Sequence, residues 1–244
     1  MPHTLSLSNL SKIKKVFSLT HIQNAETKPN AKIKTKSAYL FIFMGLLGLT
    51  SVLLNSCGVQ KPPNNTNDIC AIFKEYPKWY WEAQSSYHQW GVPTPVSMAI
   101  IREESYFVSN AQPPRTKLLG VIPWTRPTSA YGFSQATDGT WADYQQATKN
   151  RQADRDEFGD AVDFVGWYGN MAHQKIGISK SNAYDLYLAY HEGIGGYEEK
   201  SFRKKPWLMD KARKVQNLAI RYQRQLKYCR SDIPRASAWN LWLM

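Results

Sequence analysis

Ser97-Met-Ala-Ile-Ile-Arg-Glu-Glu-Ser-Tyr-Phe107 is the stretch on which the reading of this chain turns. It begins as an apolar helical pattern, then sets Glu103 and Glu104 where a further apolar turn is expected. A carboxylate beside buried apolar surface loses the hydration of its ionised form, so its pKa rises. Such a group keeps its proton near neutral pH and can act as a general acid. The plainer alternative places both side chains on a solvated helix face, where most glutamates lie. Helical periodicity does not choose between the two. Both fall within about a sixth of a turn of the centre of the face carrying Val96, Ile100 and Phe107. Glu103 serves equally well as an exposed neighbour or as the partner of a basic residue.

On the N-terminal side, Ile69–Lys74 reads as a short helix, and Pro77 opens a second one over residues 79–90 that Gly91 ends. Pro93 and Pro95 start the helix that carries the two glutamates, since Pro is favourable in a first turn. On the C-terminal side, residues 112–129 hold four prolines and read as a long irregular loop, with Arg115, Lys117, Trp124 and Arg126 on it. Loops of that length in compact domains are commonly functional. Helical spacing then predicts helices near 139–149, over 154–174 (Phe158, Val162, Val165, Tyr168), over 182–191 (Leu186, Leu188, Ala189) and over 207–226 (Ala212, Val215, Leu218, Ala219, Tyr222). The segment Gly193-Ile-Gly-Gly196 reads as a turn. With neither strand alternation nor repeats, the expectation is one mostly-α domain over residues 69–230. A linker, 57–68, precedes it. A tail, 231–244, follows, with Trp239, Leu241 and Trp242 to dock on the domain or on a partner.

The chain has 244 residues, 43% hydrophobic and 13% aromatic, enough for one domain with a sizeable core plus an appendage. Surplus aromatics line grooves for sugars or bases, although the core is their commonest home. The formal charge of +12 suggests an acidic partner: nucleic acid, anionic lipid or an anionic polymer. Residues 1–56 hold seven Lys against one acidic residue, Glu26, so half of the twelve net charges lie there and the rest of the chain is moderately basic.

That N-terminal segment is polar and basic up to residue 37, then apolar from Ala38 to Leu54, about the length of a short membrane span. A retained anchor and a secretion signal both fit the apolar run. Leu54-Asn-Ser-Cys57 resembles the lipobox of bacterial lipoproteins, which implies cleavage before Cys57 and its lipidation. No positive stop-transfer cluster follows, only loop-like residues. The reading is therefore a lipoprotein signal over 1–56 with a long basic leader. Export leaves Cys70 and Cys229 bracketing the helical region, and a disulfide between them is plausible in an oxidising compartment. Two unpaired buried thiols are the alternative. Export also removes the domain from nucleic acid, so no nucleic-acid partner is expected.

Several chemistries lack their residues. No second His follows His191-Glu192 at zinc-protease spacing, no Gly-rich phosphate loop opens a helix, and no Gly-x-Ser-x-Gly occurs. No metal and no cofactor are expected. Acid/base work at a glutamate remains, and here three segments stand together: Glu104-Ser105, Gly132-Phe-Ser-Gln135 and Ala189-Tyr-His-Glu-Gly193. In order and approximate spacing they resemble the motifs of the lytic transglycosylases, bacterial cell-wall enzymes with a lysozyme-like domain of goose or soluble-lytic-transglycosylase type. The resemblance spans about Cys70 to Cys229. It departs from the family pattern at Phe133-Ser134, where Leu-Met is usual, and at His191-Glu192, where Asn-Ala is usual. The loop before Gly132 is also longer.

The resemblance implies Glu104 as the catalytic acid, Ser105 as the motif serine, Gln135 as a groove residue and Tyr190 as the tyrosine near the carboxyl. Tyr131 and His191 join them as candidate glycan contacts. One carboxyl would work twice. It first protonates the oxygen between N-acetylmuramic acid and N-acetylglucosamine. It then takes the proton of the muramic 6-hydroxyl, giving a 1,6-anhydro sugar. Ordinary glycosidases need a second carboxylate; Asp138 and Glu192 are the candidates for one. The implied partners are peptidoglycan strands and, through Cys57, a membrane. The expected form is a monomer in the cell envelope facing the periplasm. Gly58 after the lipidated Cys favours the outer membrane. The competing readings are a lipid-anchored peptidoglycan-binding scaffold on the same fold and a muramidase-type hydrolase.

Overall fold

A computed structural model describes residues 60–234, apart from residues 119 and 124. Cys57, the leader before it and the tail from residue 235 lie outside the described residues, so the lipidation site and Trp239, Leu241 and Trp242 do too. Residues Cys57–Met244 form a compact unit of their own. The described helices are α1 (Ile69–Glu75), α2 (Pro77–Trp90), α3 (Thr94–Ser105), α4 (Asp138–Thr148), α5 (Phe158–Ile176), α6 (Ala183–Glu198) and α7 (Pro206–Cys229). None of them is long and apolar enough to cross a membrane.

Local chemistry sets their ends. The Asp68 carboxylate accepts from the Cys70 and Ala71 amides at 2.9 and 3.3 Å and starts α1. Pro77 opens α2, and Gly91 closes it in the left-handed region at φ 77°. The helix expected from Asp154 begins only at Phe158. The Asp154 amide donates to the Asp160 carboxylate at 2.9 Å and the Asp154 side chain accepts from the Asp156 amide at 3.4 Å, so this segment folds as turns instead. The turn expected at Gly193–Gly196 is a kink: Gly193 leaves helical geometry at φ 77°, ψ 163°, and the helix resumes to Glu198. The long loop also carries a two-residue antiparallel ladder, Lys117–Leu118 (β1) against Ile122–Pro123 (β2).

α5 runs through the middle of the packing, against α2, α3 and α6, while α7 packs on α3 and α6. The face predicted from Phe158, Val162, Val165 and Tyr168 is buried. Gly166 lets α2 come close, since a Cβ there would lie 2.4 Å from Ser86 Oγ and 2.8 Å from Trp90. Much of the aromatic surplus is core. Trp79 stacks on Phe158 at 4.1 Å between centroids and on Phe107 at 5.7 Å, and meets Phe133 edge-on at 5.5 Å. One tryptophan thus joins the exit of α3, the Gly132–Gln135 segment and the start of α5.

Candidate active site

Glu104 lies in the last turn of α3, where the helix is buried on most sides. The helix ends abruptly: Tyr106 and Phe107 both take positive φ, 53° and 62°. Left-handed geometry at two successive residues with side chains is costly and needs outside support. Ser105 and Phe107 supply it. The Ser105 hydroxyl donates to the Ile101 carbonyl at 3.2 Å and accepts from the Phe107 amide at 3.2 Å, while the Phe107 ring is buried against Trp79. Ser105, a candidate groove residue by its motif, is buried with its hydroxyl bonded to backbone, where it holds the turn that follows Glu104.

The two glutamates, equivalent on a helical wheel, have different surroundings. Glu103 is bracketed by cations, Arg102 at 3.5 Å and Lys211 of α7 at 3.2 Å. Glu104 has no ion pair among the described residues, and its Oε1 is sealed from solvent without a hydrogen-bond partner. Burial pushes its pKa up to about 7. Hydrogen bonding from the Tyr187 hydroxyl and the Lys211 charge pull it down more weakly, and Glu103 adds to the rise. Such a carboxyl is half protonated near neutral pH and has unused hydrogen-bonding capacity. It can give a proton and take one back.

α6 supplies two tyrosines to this carboxyl. Tyr187 is fully buried, and its pKa is raised by burial and by the nearby Glu104 charge. Tyr190, partly buried, is raised by the same two causes. Its hydroxyl donates to the Ser134 carbonyl at 2.6 Å, and its ring meets Tyr168 at 5.1 Å. The hydroxyl therefore fastens the Gly132–Gln135 segment to α6 beside Glu104. Tyr187 was missed from sequence. The available signal was its position three residues before Tyr190, which puts both on one helix face. Lys211 carried no such signal.

The Gly132–Gln135 segment is a fixed turn. Gly132 sits at φ 76°, where an added Cβ would lie 2.0 Å from the Arg155 carbonyl oxygen. Gln135, also at positive φ, donates its amide to the carbonyls of Ala111 and Gly132 at 2.8 and 2.9 Å. That amide shapes the turn. Gly132→Ala is expected to cost about 3 kcal/mol of stability, measurable as a lowered denaturant midpoint. An unchanged midpoint would show that the turn yields without cost.

The remaining expected residues are placed as follows. Tyr131, a candidate glycan contact, donates its hydroxyl to Asp156 at 3.1 Å. His191 is exposed and meets the half-exposed Trp207 ring at 5.2 Å. Asp138 pairs with Arg155 at 2.8 Å. Glu192 loses some hydration to burial, yet hydrogen bonds from Lys205, Ser201 and His191 bring its pKa down to about 2. Both carboxylates are engaged by cations, Asp138 by Arg155 and Glu192 by Lys205. Cys70 and Cys229 form a disulfide. Among the described residues no group of three or more His, Cys, Asp or Glu stands where it could hold a metal ion.

The family model described as Transglycosylase SLT domain matches residues 45–229. No curated protein matches the chain.

Proposed function

The chain belongs to the transglycosylase SLT family, with a mostly helical, lysozyme-like fold and lytic transglycosylase activity on peptidoglycan, and from that premise we propose that Glu104 is its single acid and base. The observation that carries this reading is a carboxyl with a pKa near 7 and a buried, unpartnered oxygen. In the first step protonated Glu104 gives its proton to the oxygen between N-acetylmuramic acid and N-acetylglucosamine, and that bond breaks. In the second step the Glu104 carboxylate takes the proton of the muramic 6-hydroxyl as its oxygen bonds to the anomeric carbon. The product is a 1,6-anhydro sugar, and no water is consumed. The state of the other acidic groups supports one carboxyl working alone. Glu103 is held between two cations, Asp138 is paired with Arg155, and Glu192 is kept ionised by Lys205. A hydrolase that used one of these three as its second carboxylate would have to free it from a cation first.

The proposal also places the domain in the cell envelope. Cys57 is lipidated after removal of residues 1–56, which tethers the domain to a membrane, the outer one on the strength of Gly58. The Cys70–Cys229 disulfide supports an oxidising compartment.

Digestion of purified sacculi followed by mass spectrometry tests the chemistry. The expected muropeptides are one water lighter than those a muramidase releases. Products with reducing ends would make the protein a hydrolase, and binding of sacculi without release would make it a scaffold.

A further inference from the structure

The outward face of α7 is strongly basic along its length. The helix holds six Lys and Arg against one acidic residue, Asp210, which pairs with Arg213. Below that pair lie Lys214, Arg221, Arg224 and Lys227, all exposed and without a carboxylate partner among the described residues. Ile220 and Tyr228 are exposed on the same helix, Tyr228 at 80%. Cations interleaved with exposed apolar and aromatic side chains on one helix are the pattern of a surface that lies at a membrane interface.

A pocket of about 270 Å³ sits at the middle of this face, lined by Asn67, Arg102, Lys214, Asn217, Leu218 and Arg221. Three of the six are cations, two are amides, and none is a carboxylate. Arg102 stacks on Tyr106 at 4.3 Å and gives its terminal nitrogens to Glu103 at 3.5 Å and Asn67 at 3.3 Å. Its Nε, however, is buried without an acceptor. An unsatisfied donor in a cationic pocket calls for an anion with several acceptor oxygens.

We propose that the α7 face, with the Arg102 pocket at its middle, docks on the phosphate headgroups of an anionic lipid bilayer. Lys214 to Tyr228 spans about 21 Å of helix, enough to lie along several headgroups. Asn67 lines the pocket and is ten residues from Cys57. Ten residues reach at most about 35 Å, so a lipid on Cys57 would hold the bilayer within range of this face. That step rests on the lipidation proposed above; the charge pattern and the pocket do not.

Residues 58–244, prepared without lipid, test the docking by flotation with vesicles; this unit carries its own core and disulfide. The vesicles are phosphatidylglycerol mixed with phosphatidylethanolamine, against phosphatidylcholine alone. The protein is expected to bind the anionic vesicles at least about tenfold better than the neutral ones, and Lys214→Glu with Arg221→Glu to lose at least about tenfold of that binding. Digestion of sacculi in solution is expected to be unchanged in the variant, which also shows it folded. Equal binding by variant and parent, or no preference for phosphatidylglycerol, overturns the proposal. So does a variant that keeps vesicle binding but loses binding to sacculi, because the pocket would then take wall carboxylates. Since no lipid is attached to the protein used, failure leaves the Cys57 reading untouched.

Discussion

Glu104→Gln is expected to lower peptidoglycan turnover by about 10³-fold, the scale of a lost general acid and base, with the fold intact. Gln has nearly the shape of Glu and introduces no charge beneath Tyr187 and Tyr190, but it can neither give the proton nor take it back. Glu103→Gln is the control. It removes the partner of Arg102 and Lys211, and with it a charge that helps to raise the Glu104 pKa. Most turnover is expected to survive, with the alkaline limb of the pH profile displaced to lower pH. Initial rates on sacculi for the two variants across pH give the comparison. Activity retained in Glu104→Gln and lost in Glu103→Gln would reverse the assignment.

The same carboxyl makes stability depend on pH in a definite direction. Unfolded, Glu104 ionises near 4.5; folded, near 7. Between those values the folded chain holds a proton that the unfolded chain has released, so stability falls as pH rises from 4.5 through 7 and then levels off. The full fall is about 3 kcal/mol at roughly 1.4 kcal/mol per pH unit of separation. The amide introduced by Glu104→Gln is neutral throughout and escapes it. Glu104→Gln is therefore expected to be the more stable protein at pH 8 by about that amount, and to match the parent near pH 4. Urea midpoints at the two pH values measure this. Equal stability at pH 8 would mean that the carboxyl is better solvated than its burial implies. In the proposed mechanism the first step needs the acid form of Glu104, so turnover is expected to decline as pH rises through about 7.

Helix positions were legible in the sequence wherever one face is apolar and the ends are marked by Pro, Gly or Asn. α2 ends at Gly91 as expected, and Asn182 caps α6 with its side chain. Boundaries failed where side chains offer the backbone another partner, as Asp154 and Asp160 do ahead of α5. The different surroundings of Glu103 and Glu104 were not legible from periodicity because they depend on tertiary burial and in part on Lys211, more than a hundred residues away and brought in by the packing of α7 on α3. The family's Glu-Ser pairing carried that information indirectly. Ser105 bonds within the backbone and fixes the left-handed exit that leaves Glu104 at the edge of the buried region. Phe133, a departure from the usual Leu, is a core residue against Trp79, so it gives no reason to doubt the chemistry.

Removing the Cys70–Cys229 bond, by reduction or by Cys70→Ser with Cys229→Ser, is expected to cost about 4–5 kcal/mol through the restored freedom of the unfolded chain. The bond closes a separation of 159 residues, nearly the whole helical region. In thermal unfolding that corresponds to a midpoint lower by roughly 10–15 °C for a domain of this size. The folded state keeps other ties at the same place. The Ile69 amide donates to the Gln225 side chain at 3.1 Å, Gln225 donates to the Asn67 carbonyl at 3.3 Å, and the Tyr222 hydroxyl donates to the Thr66 carbonyl. These bonds hold α1 to the C-terminal half of α7, whereas Lys211 meets Glu103 near its N-terminal end. Well below its melting point the reduced protein should therefore keep its turnover, and the loss should appear only in how much heat or denaturant it withstands. A midpoint lowered by less than about 5 °C would show that the α1–α7 contacts restrain the unfolded chain without the bond. A loss of turnover at low temperature would show instead that the end of α7 and the Glu104 carboxyl move together.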